Sequence, residues 1–92
     1  QSLAEATLPA GTRTMLHRHR VTEEIYHITA GEGQMTLGAD LFKVGVGDTI
    51  CIAPGTAHRI EASTTGALVL LCCCSPAYSH ADTEILETGQ ED

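Results

Sequence analysis

Along most of the chain, apolar and polar residues alternate with a period of two, and glycine-containing turns break the alternation every few residues. Successive side chains on a strand point to opposite faces, so this pattern predicts short β-strands. Residues 1 to 8 read as a first strand, stopped by Pro9-Ala10-Gly11. From Thr12 to Arg20, one parity holds Arg13, Met15, His17 and His19, and the other holds Thr14, Leu16, Arg18 and Arg20. Glu24 to Thr29 predicts a strand with Glu24, Tyr26 and Ile28 on one face and Ile25 and His27 on the other. Gly31-Glu32-Gly33 predicts a hairpin turn whose return strand is Gln34 to Leu37. Further strands are expected over Leu41 to Val46, Thr49 to Ala53 and Ala57 to Ala62, the last with His58, Ile60 and Ala62 on one face. Ala67 to Cys74 is apolar at every position, which predicts burial on both faces, in a sandwich interior or against another subunit. No helical period precedes residue 76. The expectation is an all-β sandwich or barrel spanning 1–76, followed by an irregular acidic tail, 77–92, that packs on the barrel or frays from it.

At 92 residues, the chain has room for one domain and one core, and its small size favours support from a metal or a partner subunit. With one Phe, two Tyr and no Trp, the core has to be built from Val, Ile, Leu, Ala and Met. The formal charge of −7 disfavours nucleic acid and anionic membrane surfaces as partners. Five of the acids fall within residues 82–92 and are expected to be solvated. No apolar run approaches the ~18 residues of a spanning helix, and the start lacks the basic-then-apolar pattern of a signal peptide. Cys51 stands alone and Cys72, Cys73 and Cys74 are consecutive, which suits reduced thiols in a cytoplasmic protein better than a disulfide framework. On a strand, three adjacent cysteines cannot all face one metal, although one or two of them can line a cavity as small hydrophobes.

The candidate chemistry lies in His17-Arg18-His19, Glu24 and His58. Spacing by two puts both imidazoles of the pair on one face of a strand, and His58 arises where it can close a four-ligand site. Three neutral imidazoles and a carboxylate suit a divalent transition metal, with Mn, Fe, Ni, Zn and Cu all accepting that set. Four protein ligands on a six-coordinate ion leave two positions for water or a bidentate substrate. Each residue also has a plainer role: a lone strand His is commonly a surface residue, and Glu24 beside Glu23 reads as one of two solvated acids. Tyr26, on the parity of Glu24, is a candidate hydrogen-bond donor or acid, and Arg13 a candidate anchor for a substrate carboxylate or phosphate. His27 faces the other way and suits a surface or dimer contact.

These residues also fit a named pattern. The first cupin motif, Gly-x5-His-x-His-x3,4-Glu-x6-Gly, is matched without a gap by Gly11, His17, His19, Glu24 and Gly31. The second, Gly-x5-Pro-x-Gly-x2-His-x3-Asn, is matched at Gly47, Gly55 and His58, with Ala53 in place of Pro, Pro54 one position late, and Ala62 in place of Asn. Fifteen residues separate Gly31 from Gly47, and the chain resembles the small single-domain cupins of the cupin superfamily, the cupin 2 type of conserved barrel. The resemblance implies a small jelly-roll barrel, metal ligation by His17, His19, Glu24 and His58, and a homodimer. It leaves the reaction open. The leading expectation is Lewis-acid chemistry, isomerisation or proton transfer, on a small sugar, sugar acid or keto acid. An iron-dependent dioxygenase is the second reading, and a noncatalytic sugar- or metal-binding sensor domain the third.

Overall fold

The structure, a computed structural model, describes residues 1–87. Among the described residues nine strands form in chain order: β1 (Ser2–Leu8), β2 (His17–His19), β3 (Glu23–Ala30), β4 (Glu32–Leu37), β5 (Asp40–Gly45), β6 (Thr49–Ile52), β7 (His58–Ala62), β8 (Leu68–Ser75) and β9 (Thr83–Ile85), with one 3-10 turn at His80–Asp82. They make a four-stranded sheet in the order β1-β8-β3-β6 and a five-stranded sheet in the order β5-β4-β7-β2-β9. The ladders are antiparallel. Leu8, Tyr26, Ile28, Ile50, Ile52, Leu68 and Leu70 from the first sheet meet Met35, Val44, Ile60 and Ala62 from the second in a single apolar cluster. The small aliphatic side chains that the sequence supplies are therefore the ones that fill the space between the sheets.

Face assignments follow the parity of the sequence. Along β3, Glu24, Tyr26 and Ile28 are buried while Ile25 and His27 are exposed, and His27 Nδ1 lies 2.7 Å from Thr49 Oγ1 on the outer surface. Along β8, Leu68, Leu70 and Cys74 are buried, whereas Val69, Leu71 and Cys73 on the other face are only half-buried. Within the single chain the apolar run thus has one core face and one half-buried outer face, so it is not the interior strand of a sandwich.

The hairpin expected at Gly31-Glu32-Gly33 does not form. β3 belongs to the four-stranded sheet and β4 to the five-stranded one, so the chain crosses between layers there. Gly31 adopts a left-handed φ of 80°, and a side chain on it would collide with the Ala67 carbonyl. A tight turn signal specifies a change of direction, not which sheet receives the next strand. The segment expected as one strand over Thr12 to Arg20 is regular only at His17–His19. Before it, the chain follows β7 loosely, through a bridge between Arg13 and Glu61 and bonds from Thr14 N to Ile60 O and from Ile60 N to Thr14 Oγ1.

The acidic stretch is also more ordered than a solvated, irregular tail. β9 adds to the edge of the five-stranded sheet, pairing Thr83, Glu84 and Ile85 with His19, Arg18 and His17. Its acids find partners: Arg18 Nε donates to Glu84 at 2.8 Å, Arg59 to Glu87 at 3.1 Å, and the Val21 and Thr22 amides to Asp82. Arg18 and Arg20 point away from the histidines, as their parity requires, and it is this tail that they meet. The rest of the expected tail, residues 88–92, lies outside the described residues. Among the described residues no helix is long and apolar enough to cross a membrane.

Candidate metal centre

Three strands deliver the four residues. β2 supplies His17 and His19, β7 supplies His58 directly opposite His17, and β3 supplies Glu24 from the facing sheet. One donor atom from each lies within 4.8 Å of every other. The imidazole centroids are 4.2 Å apart for His17 and His58 and 5.7 Å for His19 and His58. His58 is fully buried, and His19 and Glu24 nearly so.

Backbone and tail contacts fix the tautomers. His17 Nδ1 lies 2.7 Å from the Met15 carbonyl and His58 Nδ1 lies 2.9 Å from the Thr56 carbonyl. A carbonyl oxygen only accepts, so each Nδ1 carries the proton. Thr83 Oγ1 donates its own proton to the Ser79 carbonyl, which leaves it to accept from His19 Nδ1 at 3.0 Å. With Nδ1 so engaged, all three rings turn Nε2 inward, the orientation that a metal-ligating histidine needs.

Two of those nitrogens are left over. His19 Nε2 and His58 Nε2 approach Glu24 Oε1 to 3.1 and 2.9 Å, yet all three atoms are buried without a hydrogen-bond partner. Buried polar atoms are almost always satisfied, and leaving three together costs free energy. Burial pushes the Glu24 carboxyl up, but the close His58 ring, the Cys72 thiol and the charge of His19 bring it down to about 2. Burial, opposed in part by the Met15 carbonyl, holds His17 below its ordinary value of 6.5. A carboxylate and three imidazoles thus converge on one point, and that donor chemistry fits a divalent transition cation.

The other residues singled out from sequence fall differently. Tyr26 is buried with its ring centroid 5.9 Å from that of His58. Burial, and then the nearby Glu24, raise its hydroxyl well above the usual range, so it keeps its proton. Arg13 is exposed and paired across from Glu61, three positions along β7 from His58. Cys72 and Cys74 face inward against Glu24, and Cys72 donates to its Oε2 at 3.1 Å. Sequence reading allowed for such a lining without tying it to Glu24; the tie depends on β8 being the neighbour of β3. Thr83 went unnoticed because it lies in a stretch with no strand pattern. A depression of about 350 Å³ lined by Glu32, Gln34, Lys43 and Glu61 contains none of the four donors.

Comparisons with known proteins agree with this geometry. A family model described as the cupin domain matches residues 4–74. The chain is 55% identical over 87 residues to an uncharacterised protein of Methanocaldococcus jannaschii, covering 95% of this chain and 70% of the relative. Among solved structures, it is similar to a predicted oxalate decarboxylase from Thermotoga maritima, with a TM-score of 0.75 and 30% identity over 78% of this chain and 63% of that one. It is also similar to a cupin 2 conserved barrel domain protein from Rhodopseudomonas palustris, with a TM-score of 0.81 and 25% identity over 90% of this chain and 55% of that one.

Proposed function

The chain belongs to the cupin domain family, and from that premise we propose that it is a divalent-metal-dependent enzyme acting on a small, oxygen-bearing metabolite such as a sugar, sugar acid or keto acid. The observation that carries this reading is the convergence of three buried, unpartnered donor atoms, His19 Nε2, His58 Nε2 and Glu24 Oε1, with His17 beside them. The two facing sheets are read as a jelly-roll barrel enclosing that point. His17, His19, His58 and Glu24 would hold the ion, which supplies Lewis acidity towards adjacent substrate oxygens. Glu24 contributes the anionic ligand, and the Nδ1 contacts of the three rings keep their lone pairs aimed inward. Tyr26, protonated and close to His58, serves as a hydrogen-bond donor to a substrate oxygen. The apolar side chains of the surrounding core limit water around the site.

The Thermotoga neighbour's name favours a small carboxylate-bearing substrate within this class, because adjacent carboxylate and carbonyl oxygens can occupy two free positions. The half-buried outer face of β8, continued by exposed Leu3 and Ile25, supports a second copy of the chain as partner.

Metal analysis after purification without added metal is expected to find about one equivalent of a transition ion per chain. His58→Ala is expected to weaken binding by more than about a hundredfold, beyond the range of changes to residues that merely support a ligand, while the far-ultraviolet dichroism persists. Unchanged affinity in that variant would remove His58 from the site. Oxygen uptake with candidate substrates would move the reading to an iron dioxygenase. Saturable binding without turnover by any metal-loaded form would move it to a sensor domain.

A further inference from the structure

Glu24 has two oxygens, and only Oε1 faces the histidines. Oε2 faces two thiols on β8: Cys72 Sγ at 3.1 Å and Cys74 Sγ at 3.5 Å, with the two sulfurs 3.7 Å apart. Cys74 is buried and Cys72 half-buried. Both reach inward because they are two apart on one strand, while Cys73 between them points out. The register makes the cluster. Glu24 on β3 stands opposite Cys74 and Tyr26 opposite Cys72, so the carboxylate lies beside the strand that presents the two sulfurs.

The dimensions of this triangle are those of a coordination face. With zinc-type bond lengths of about 2.3 Å to sulfur and 2.0 Å to oxygen, two corners of a tetrahedron are about 3.75 Å apart for a sulfur pair and about 3.5 Å apart for sulfur and oxygen. The observed edges of 3.7, 3.5 and 3.1 Å need only small movements to match, the shortest being a thiol–carboxylate hydrogen bond that metal binding would replace.

We propose that Cys72, Cys74 and Glu24 Oε2 form a second cation site, selective for a thiophilic ion such as Zn(II), Cd(II) or Cu(I), with Glu24 bridging it to the imidazole site. Soft thiolates select these ions over Mg and Ca. On binding, the two S–H protons leave to solvent and two S–M bonds form, with no change of oxidation state. Two thiolates and a carboxylate buried together without a cation would repel strongly, so the thiols stay protonated until the ion arrives. The site shares Glu24 with the imidazole set but does not rest on the Lewis-acid reading of that set.

The test is a titration of the reduced protein with Cd(II), following metal stoichiometry and the thiolate-to-cadmium charge-transfer absorption. The wild type is expected to take two equivalents and to develop the absorption. Cys72→Ser/Cys74→Ser should take one equivalent and show none, and Cys72→Ser alone should lose most of the absorption if the double variant folds poorly. His17→Ala is expected to lose the imidazole equivalent and keep the absorption. A single equivalent without the absorption, lost in His17→Ala, would overturn the second site and leave the imidazole site standing. A single equivalent that carries the absorption and is unaffected by His17→Ala would support the thiol site and overturn the imidazole one. Absorption that persists in the double serine variant, or a lone equivalent whose absorption collapses in His17→Ala, would also overturn the proposal. The first would point to Cys51 or Cys73, the second to one ion spanning both sets.

Discussion

The two walls that meet at the metal centre are held in different ways. Glu24 stands on β3, which is paired along nearly its whole length with β8 on one side and from Glu24 to His27 with β6 on the other. His17 and His19 stand on a strand of three residues. Its register with β7 is the single pair His17–His58, and its other neighbour is β9 from the acidic tail. The carboxylate wall is therefore part of the core ladder, as is His58 on β7, which pairs with β4, while His17 and His19 depend on single bonds to Met15 and Thr83. Stability and metal affinity are thereby partly separable: one is concentrated in the long ladders, the other in the contacts of a short strand.

The largest effect is expected on the first wall. Ile28→Ala removes a fully buried side chain from β3, which should lower the unfolding free energy by about 2–5 kcal/mol in denaturant titration. Metal stoichiometry of the folded protein should be unchanged. A loss below ~1 kcal/mol would mean that the long ladder is not where stability is concentrated.

Acid acts on both walls. Glu24 is brought down from 4.5 to about 2, and His17 is held below 6.5. Each folded value lies below the unfolded one, so in each window the unfolded chain binds more protons and stability falls as the pH falls. Thermal unfolding of the metal-free protein should show a loss beginning near and below pH 6.5, then a further loss between pH 4.5 and about 2. At about 1.4 kcal/mol for each tenfold change in proton affinity, the second window is worth a few kcal/mol at most. Glu24→Gln should shrink the second window, leaving the part that Asp82 contributes, where desolvation is outweighed by the amides that bond it and the carboxyl is lowered from 3.8, and keep the first; an unaltered profile would separate Glu24 from it.

Thr83→Val isolates the second wall. It keeps the size of the side chain and removes the hydroxyl that accepts from His19. Metal affinity, read by calorimetry, should fall about 10–100-fold, and the unfolding free energy by about 1–3 kcal/mol, because the buried His19 Nδ1 loses its partner. Unchanged affinity would show that β9 does not orient His19.

The smallest effect belongs to the ion pair at the margin. Arg18→Ala removes a contact whose two side chains are 43% and 34% exposed, and should cost only about 0.2–1 kcal/mol. Faster amide exchange confined to residues 83–85 would show it as a clasp on β9.

Much of this arrangement was legible in the residue order, because a strand's side-chain period is local. The inward sets Glu24, Tyr26, Ile28 and His58, Ile60, Ala62 follow from parity alone, as does the division of Cys72 and Cys74 from Cys73. The motif glycines were legible for the same local reason: Gly11, Gly31, Gly47 and Gly55 all have positive φ, which side-chain-bearing residues rarely adopt. What the order of residues could not specify was which strands become neighbours. The crossing at Gly31, the recruitment of Thr83 to His19, and the seat of Cys72 and Cys74 against Glu24 each join residues far apart in the chain. No local period encodes such pairs; they arise only when the two sheets close over a shared core and bring distant registers into contact.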